Sequence, residues 1–237
     1  MTEQFIELHT LQLESGGLDL VLAHYDSKCF QPDLFKAAAI DYPASLQNSV
    51  IKRQAEFLAG RIAAAHALRS YGLEQQPIGI GRQRQPIWPE GYVGSISHSQ
   101  GMAVALVQPE TEFIGVGLDL EARLSAESQQ AMLSVVLNQV ELQRLKRDAG
   151  SLSQAELLTL VFSAKESFFK AAYRQVQDYF DFDAIELVRL DQARKELHFR
   201  CVSQLSQNFV ADTPVVAAYQ WLNQTMVLTS VLLPASA

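Results

Sequence analysis

Residues 113–121 read Phe113-Ile114-Gly115-Val116-Gly117-Leu118-Asp119-Leu120-Glu121. Apolar side chains at 114, 116, 118 and 120 alternate with small or acidic ones, the period-two pattern of a strand. Asp119 and Glu121 are two apart, so their carboxylates leave one face. Gly115 and Gly117 precede them on that face and are expected to clear space above it. Two like charges side by side repel unless something offsets them. A hard divalent cation does so, and magnesium takes one or two carboxylates plus water and substrate phosphate oxygens. On the pattern alone, two solvated acids on an edge strand are the commoner case.

Downstream, residues 125–146 read as one helix and residues 152–173 as a longer one. The second carries Phe162-Ser163-Ala164-Lys165-Glu166-Ser167-Phe168-Phe169-Lys170. Glu166 and Lys170 are four apart and share a helix face. They read either as a surface ion pair or, set among Phe168, Phe169, Ala171 and Ala172, as charges at the margin of a cleft. Strands are expected over 185–190, 196–202, 215–222 and 226–233.

Upstream, residues 91–108 read as paired strands containing Gly94-Ser95-Ile96-Ser97-His98-Ser99. This segment is either a polar hairpin or a holder of phosphate oxygens. Acyl-enzyme chemistry ranks lower, because neighbouring Ser and His on a strand point opposite ways and no GxSxG elbow is present. Residues 75–89 are rich in Gly, Pro and Gln and read as loop with a short strand. A helix is expected over 49–69, with Val50, Phe57, Leu58, Ile62, Ala65 and Leu68 at helical spacing and a stop at Tyr71-Gly72. Residues 18–23 form a short apolar run of strand type, and the first 50 residues otherwise hold no motif. Phe57-Leu58-Ala59-Gly60-Arg61 is echoed about 105 residues later by Phe162-Ser163-Ala164-Lys165-Glu166. The echo suggests a duplicated α+β unit, with the linker at 109–112 and subdomains at 1–112 and 113–237.

The chain of 237 residues carries a formal net charge of −7, which argues against nucleic acid or an anionic membrane as partner. Charge is uneven, however. Lys52, Arg53, Arg61, Arg69, Arg82 and Arg84 face only Glu56 and Glu74 between residues 52 and 84. That patch suits a small polyanion. Cys29 and Cys201 form no CxxC pair, so neither a disulfide framework nor a zinc site is expected. Residues 1–10 hold Glu3 and Glu7 and no apolar run, unlike a secretory signal. No stretch is long and apolar enough for a membrane span. A soluble, cytoplasmic protein is expected.

Taken together and in order, these segments, with Pro86-Ile87-Trp88-Pro89 between them, resemble the larger surfactin-type and enterobactin-type 4′-phosphopantetheinyl transferases. The match runs from about Arg53 to Tyr173; Phe162 departs from it, standing where many members have tryptophan. The resemblance implies a magnesium-dependent enzyme, with manganese an alternative ion, that moves the phosphopantetheine arm of coenzyme A onto a serine of an apo acyl or peptidyl carrier protein. It implies Asp119, Glu121 and Glu166 as metal ligands, Glu166 as the base that deprotonates the carrier serine, and Lys170 at the pyrophosphate. Ser97 and His98 are implied as coenzyme A phosphate contacts, with Arg53 and Arg84 near the nucleotide and its 3′-phosphate. Arg61, Lys28 and Glu141 are weaker matches. The implied fold is α+β, a pseudo-twofold pair of similar subdomains with the active site in the cleft between them, and the implied state is a monomer. Two other readings stay open: a magnesium-dependent phosphohydrolase or nuclease built on the same carboxylates, and a duplicated binding module in which they merely form ion pairs.

Overall fold

In the computed structural model, residues 2–73 and 75–235 are described. The chain divides into two units, Met1–Glu112 and Phe113–Ala237.

The first unit contains α1 (Thr2–Phe5), β1 (Ile6–Gln12), β2 (Asp19–Tyr25), α2 (Asp33–Ala37), α3 (Ala44–Gln47), α4 (Ile51–Leu68), β3 (Gly79–Ile80), β4 (Pro86–Ile87), β5 (Tyr92–Ser99) and β6 (Met102–Pro109). Its main sheet runs β1-β2-β6-β5, antiparallel throughout, and β3 and β4 make a separate small hairpin. Alanine-rich α4 suits a helix, because alanine loses no side-chain entropy on joining one. Ala55, Leu58, Ala59 and Ala63 recur at helical spacing and pack with Ala23, Ala103 and Ala105 of the sheet in one buried cluster. Small residues on both surfaces bring the helix close: a Cβ on Gly60 would lie 2.8 Å from Ile96 Cγ2. The chain leaves this helix through a 3-10 turn that ends at Gly72, with a left-handed φ of 69°. Strand β1 was not legible beforehand, because it is mostly exposed and polar and takes its form from pairing with β2.

The second unit contains β7 (Phe113–Ala122), α5 (Ala126–Val136), α6 (Gln139–Asp148), α7 (Gln154–Val176), β8 (Ile185–Asp191), β9 (Glu196–Cys201), β10 (Pro214–Trp221) and β11 (Met226–Pro234). Its antiparallel sheet runs β7-β11-β10-β9-β8. Helix α7 lays Leu157, Leu160, Val161, Ala164 and Phe168 into a core with Leu187, Leu197, Phe199, Ala217, Val227 and Val231. Each unit thus sets one long helix against an antiparallel sheet, the α+β class expected.

One expectation is corrected here. Residues 125–146 are two helices, not one. Asn138 accepts from Glu141 N through Oδ1 at 2.9 Å, and its own backbone N donates to Glu141 Oε2 at 2.8 Å. This reciprocal cap satisfies free donors at a new helix start and stops α5 at Val136. Among the described residues, no helix is long and apolar enough to cross a membrane.

Candidate active site

Strand β7 and helix α7 hold the acidic cluster. Asp119 is buried, so it is not a solvated surface acid. Lys170 Nζ donates to its Oδ1 at 2.7 Å and to Leu118 O at 2.9 Å, while Ser163 Oγ donates to its Oδ2 at 2.8 Å. Thr229, opposite Asp119 in the β7–β11 register, links the hydroxyls of Ser163 and Ser167 at 2.8 and 2.7 Å. Ser163, Glu166, Ser167 and Lys170 follow helical spacing, so one face of α7 delivers all four.

The space that Gly115 and Gly117 were expected to leave open belongs to this helix. A Cβ on Gly117 would collide with the carbonyl of Ser167, and one on Gly115 with the carbonyl of Ala171. The glycines let the α7 backbone lie on the strand, and this contact brings the helix side chains to Asp119.

Glu121 and Glu166 lie within the field of the same group. Burial first, then the Asp119 charge, pushes the Glu121 carboxyl up to about 7; Lys170 pulls the other way and Glu166 adds to the rise. Glu166 is likewise raised by burial and by Asp119, against Lys170. Three carboxylates therefore share one ammonium. Among the described residues, no group of three His, Cys, Asp or Glu side chains stands close enough together, as placed, to hold a metal ion. The donor chemistry still fits a hard cation, because the set is all oxygen and leaves two negative charges unmatched when ionised.

Behind this face lies a buried ion pair. Lys165 Nζ donates to Glu141 Oε1 at 2.8 Å, to Val136 O at 2.8 Å and to Phe182 O at 2.9 Å. Glu141 Oε1 also accepts from Leu187 N at 2.8 Å. Glu141 thus ties α6, α7 and β8 together, and Lys165 is a residue that the sequence reading passed over.

In the first unit, α4 and β5 bring Arg53 and His98 together, with Arg53 Nη1 3.0 Å from His98 Nε2. Ser97 is buried and, by strand alternation, leaves the opposite side of β5 from His98. The two do not make a joint pair. Arg84 is exposed in the turn of the β3–β4 hairpin at a left-handed φ of 66°. Arg61 is buried: its Nη2 donates to Gly79 O at 3.2 Å, it lies over the Phe57 ring, and among the described residues its Nη1 has no hydrogen-bond partner. Burial pulls its pKa down to about 10. Lys28 is exposed on a 3-10 turn capped by Asp26.

Residues 41–108 match the model of the 4'-phosphopantetheinyl transferase N-terminal domain, and residues 115–220 match that of the 4'-phosphopantetheinyl transferase superfamily. Enterobactin synthase component D of Salmonella austin is 39% identical over 187 residues, covering 78% of this chain and 75% of that protein. The chain belongs to the 4'-phosphopantetheinyl transferase superfamily.

Other superfamily relatives agree over shorter spans. Enterobactin synthase component D of Salmonella typhi is 40% identical over 65% of this chain and 62% of its own length. 4'-Phosphopantetheinyl transferase Svp of Streptomyces mobaraensis is 35% identical over 61% and 58%. The chain thus spans about three fifths of the length of several curated relatives that it matches. A solved holo-(acyl-carrier-protein) synthase from Bacillus anthracis overlays 53% of this chain and 99% of that chain at 20% identity and a TM-score of 0.35, too slight a likeness to carry an argument. The superfamily match covers both the strand and the helix that carry Asp119, Glu121, Glu166 and Lys170, and also Glu141 and Lys165.

Proposed function

We propose that this chain transfers the 4′-phosphopantetheine group of coenzyme A to a serine of an apo acyl or peptidyl carrier protein, releasing adenosine 3′,5′-bisphosphate. The observation that carries this reading is the grouping of Asp119, Glu121, Glu166 and Lys170 within one another's fields on β7 and α7. It lies inside the segment that matches the superfamily.

Asp119, Glu121 and Glu166 would hold magnesium or manganese, after side-chain rotation that lets the glutamates converge. When bound, the ion supplies charge neutralisation at the diphosphate. The other work falls to the chain. Glu166 would take the proton from the carrier serine, directly or through a water. The serine oxygen bonds to the β-phosphorus of coenzyme A as the bond to the bridging oxygen breaks. The electron pair leaves with adenosine 3′,5′-bisphosphate, and Lys170 offsets the negative charge gathering there. Transfer of this type depends mainly on positioning and electrostatics. Arg53, His98 and Arg84 of the first unit would meet phosphate oxygens of the nucleotide; Ser97, buried on the other side of β5, would meet a phosphate only from that side. The basic surplus of residues 52–84 also suits an acidic carrier.

The proposal extends to a cytoplasmic monomer without nucleic-acid or membrane partners, in keeping with the net charge of −7. The test is incubation with coenzyme A, magnesium and a panel of apo carriers, read by mass spectrometry. A phosphopantetheine mass gain on a carrier serine is expected, and it disappears with a chelator. No gain on any carrier, together with phosphodiester hydrolysis by the protein alone, would point to a hydrolase instead.

A further inference from the structure

Glu56 stands one turn along α4 from Arg53, inside the basic stretch of residues 52–84. Its Oε2 is 3.7 Å from Arg53 Nη1 and 3.9 Å from His98 Nδ1, and its Oε1 is 4.0 Å from Lys52 Nζ. These separations are too long for hydrogen bonds, so Glu56 fixes the geometry of none of the three. They are short for charges. One carboxylate lies within Coulomb reach of Lys52, of Arg53 and, when it is protonated, of His98.

Exposure gives the arrangement its direction. The Glu56 side chain is 13% exposed, against 28% for His98, 43% for Arg53 and 72% for Lys52. The carboxylate is the most covered of the four, where water screens it least. An anion arriving from solvent meets the cations first and finds their charge already partly offset. The field of Glu56 also reaches β2. Burial first, and this carboxylate second, push the Tyr25 hydroxyl up to about 12, while a backbone hydrogen bond at Gly101 and the Arg53 charge pull the other way. Arg53 Nη1 lies 3.0 Å from His98 Nε2, so the two groups assigned to phosphate share one counter-charge.

We propose that Glu56 competes with nucleotide phosphate for Lys52, Arg53 and His98, and so holds affinity for the nucleotide end below what the cations alone would give. This rests on the reading that Arg53 and His98 contact coenzyme A. The reaction gives such a brake a use. Coenzyme A and the released adenosine 3′,5′-bisphosphate share this nucleotide, so contacts here hold substrate and product alike. Uniform binding of that kind lowers KM without raising kcat, and a product held too tightly leaves slowly.

The experiment compares wild type with Glu56→Gln, which keeps the shape and removes the charge, and with Glu56→Asp, which keeps the charge. Calorimetric titration with coenzyme A and with adenosine 3′,5′-bisphosphate, at low and high ionic strength, reads the affinity for each. Glu56→Gln should bind both about fivefold more tightly at low salt, and the gap should narrow at high salt as screening rises. KM for coenzyme A should fall in step, kcat should not rise, and inhibition by the bisphosphate should tighten. Glu56→Asp should stay near wild type. A residue that merely supports the fold gives the opposite sign, because its loss loosens the patch. Equal or weaker binding by Glu56→Gln, with wild type binding both nucleotides, overturns the proposal. A wild type that binds neither and modifies no carrier overturns the functional reading instead, and the proposal falls with it.

Discussion

The carbonyl of Ser167 occupies the position that a Cβ on Gly117 would need. Backbone of α7 rests directly on backbone of β7, and that closeness lets Ser163 and Lys170 reach the buried Asp119. Gly117→Ala must push the helix off the strand. Overpacking of this kind costs about 1–3 kcal/mol. A melting temperature lower by several degrees is expected, with transferase activity falling further than the loss of stability explains. A variant that melts and turns over like wild type would show that the strand–helix contact has slack.

Asp119→Ala and Glu166→Gln should each abolish or nearly abolish carrier modification while the protein stays folded by circular dichroism. Loss of a general base alone lowers rates by about 10²–10⁴-fold. Asp119→Ala also leaves the donors of Lys170 and Ser163 without this acceptor, at about 1–3 kcal/mol of stability. Full activity in either variant would remove that residue from the site.

Lys170→Ala separates the roles of the two cations. The side chain offsets charge but is no metal ligand in the proposal. Manganese binding, followed by electron paramagnetic resonance, should persist, whereas the transfer rate falls. An unchanged rate would take Lys170 out of the mechanism.

The buried pair of Lys165 and Glu141 is a matter of stability. Removing one partner of a buried pair leaves an uncompensated charge and costs about 3–5 kcal/mol. Lys165→Met should therefore lower the urea midpoint sharply. Adding Glu141→Gln removes the stranded charge and should restore at least about 1 kcal/mol. A double variant no more stable than Lys165→Met would mean that the backbone acceptors Val136 and Phe182, not the charge pair, hold the lysine.

The elements around the site were legible because their periodicity is local. The alternation of 113–121 shows a strand, and the spacing of Glu166 and Lys170 shows one helix face. What fills the space above Gly115 and Gly117 is not local: a glycine pattern fits a helix lying on the strand as well as an open ligand space. Lys165 was passed over because it sits beside Glu166, and neighbours on a helix point about 100° apart; one serves the core and the other the acidic cluster. The break at Leu137 was within reach, since Asn138-x-x-Glu141 has the form of a reciprocal cap.

Cysteine chemistry gives a last prediction, independent of any ligand. Cys201 is buried in the core of the second unit, and burial pushes its thiol up to about 11. The thiolate is the reactive form, so at pH 8 only about one Cys201 in a thousand would be ionised even if reagent reached it. Cys29 is exposed. Native protein should therefore react rapidly with one equivalent of a thiol reagent, at Cys29, and with a second only on unfolding. The slow phase then reports opening of the second unit's core, and it should quicken in Lys165→Met and Gly117→Ala, which loosen that unit. Two fast equivalents in the native wild type would contradict the packing described for β9.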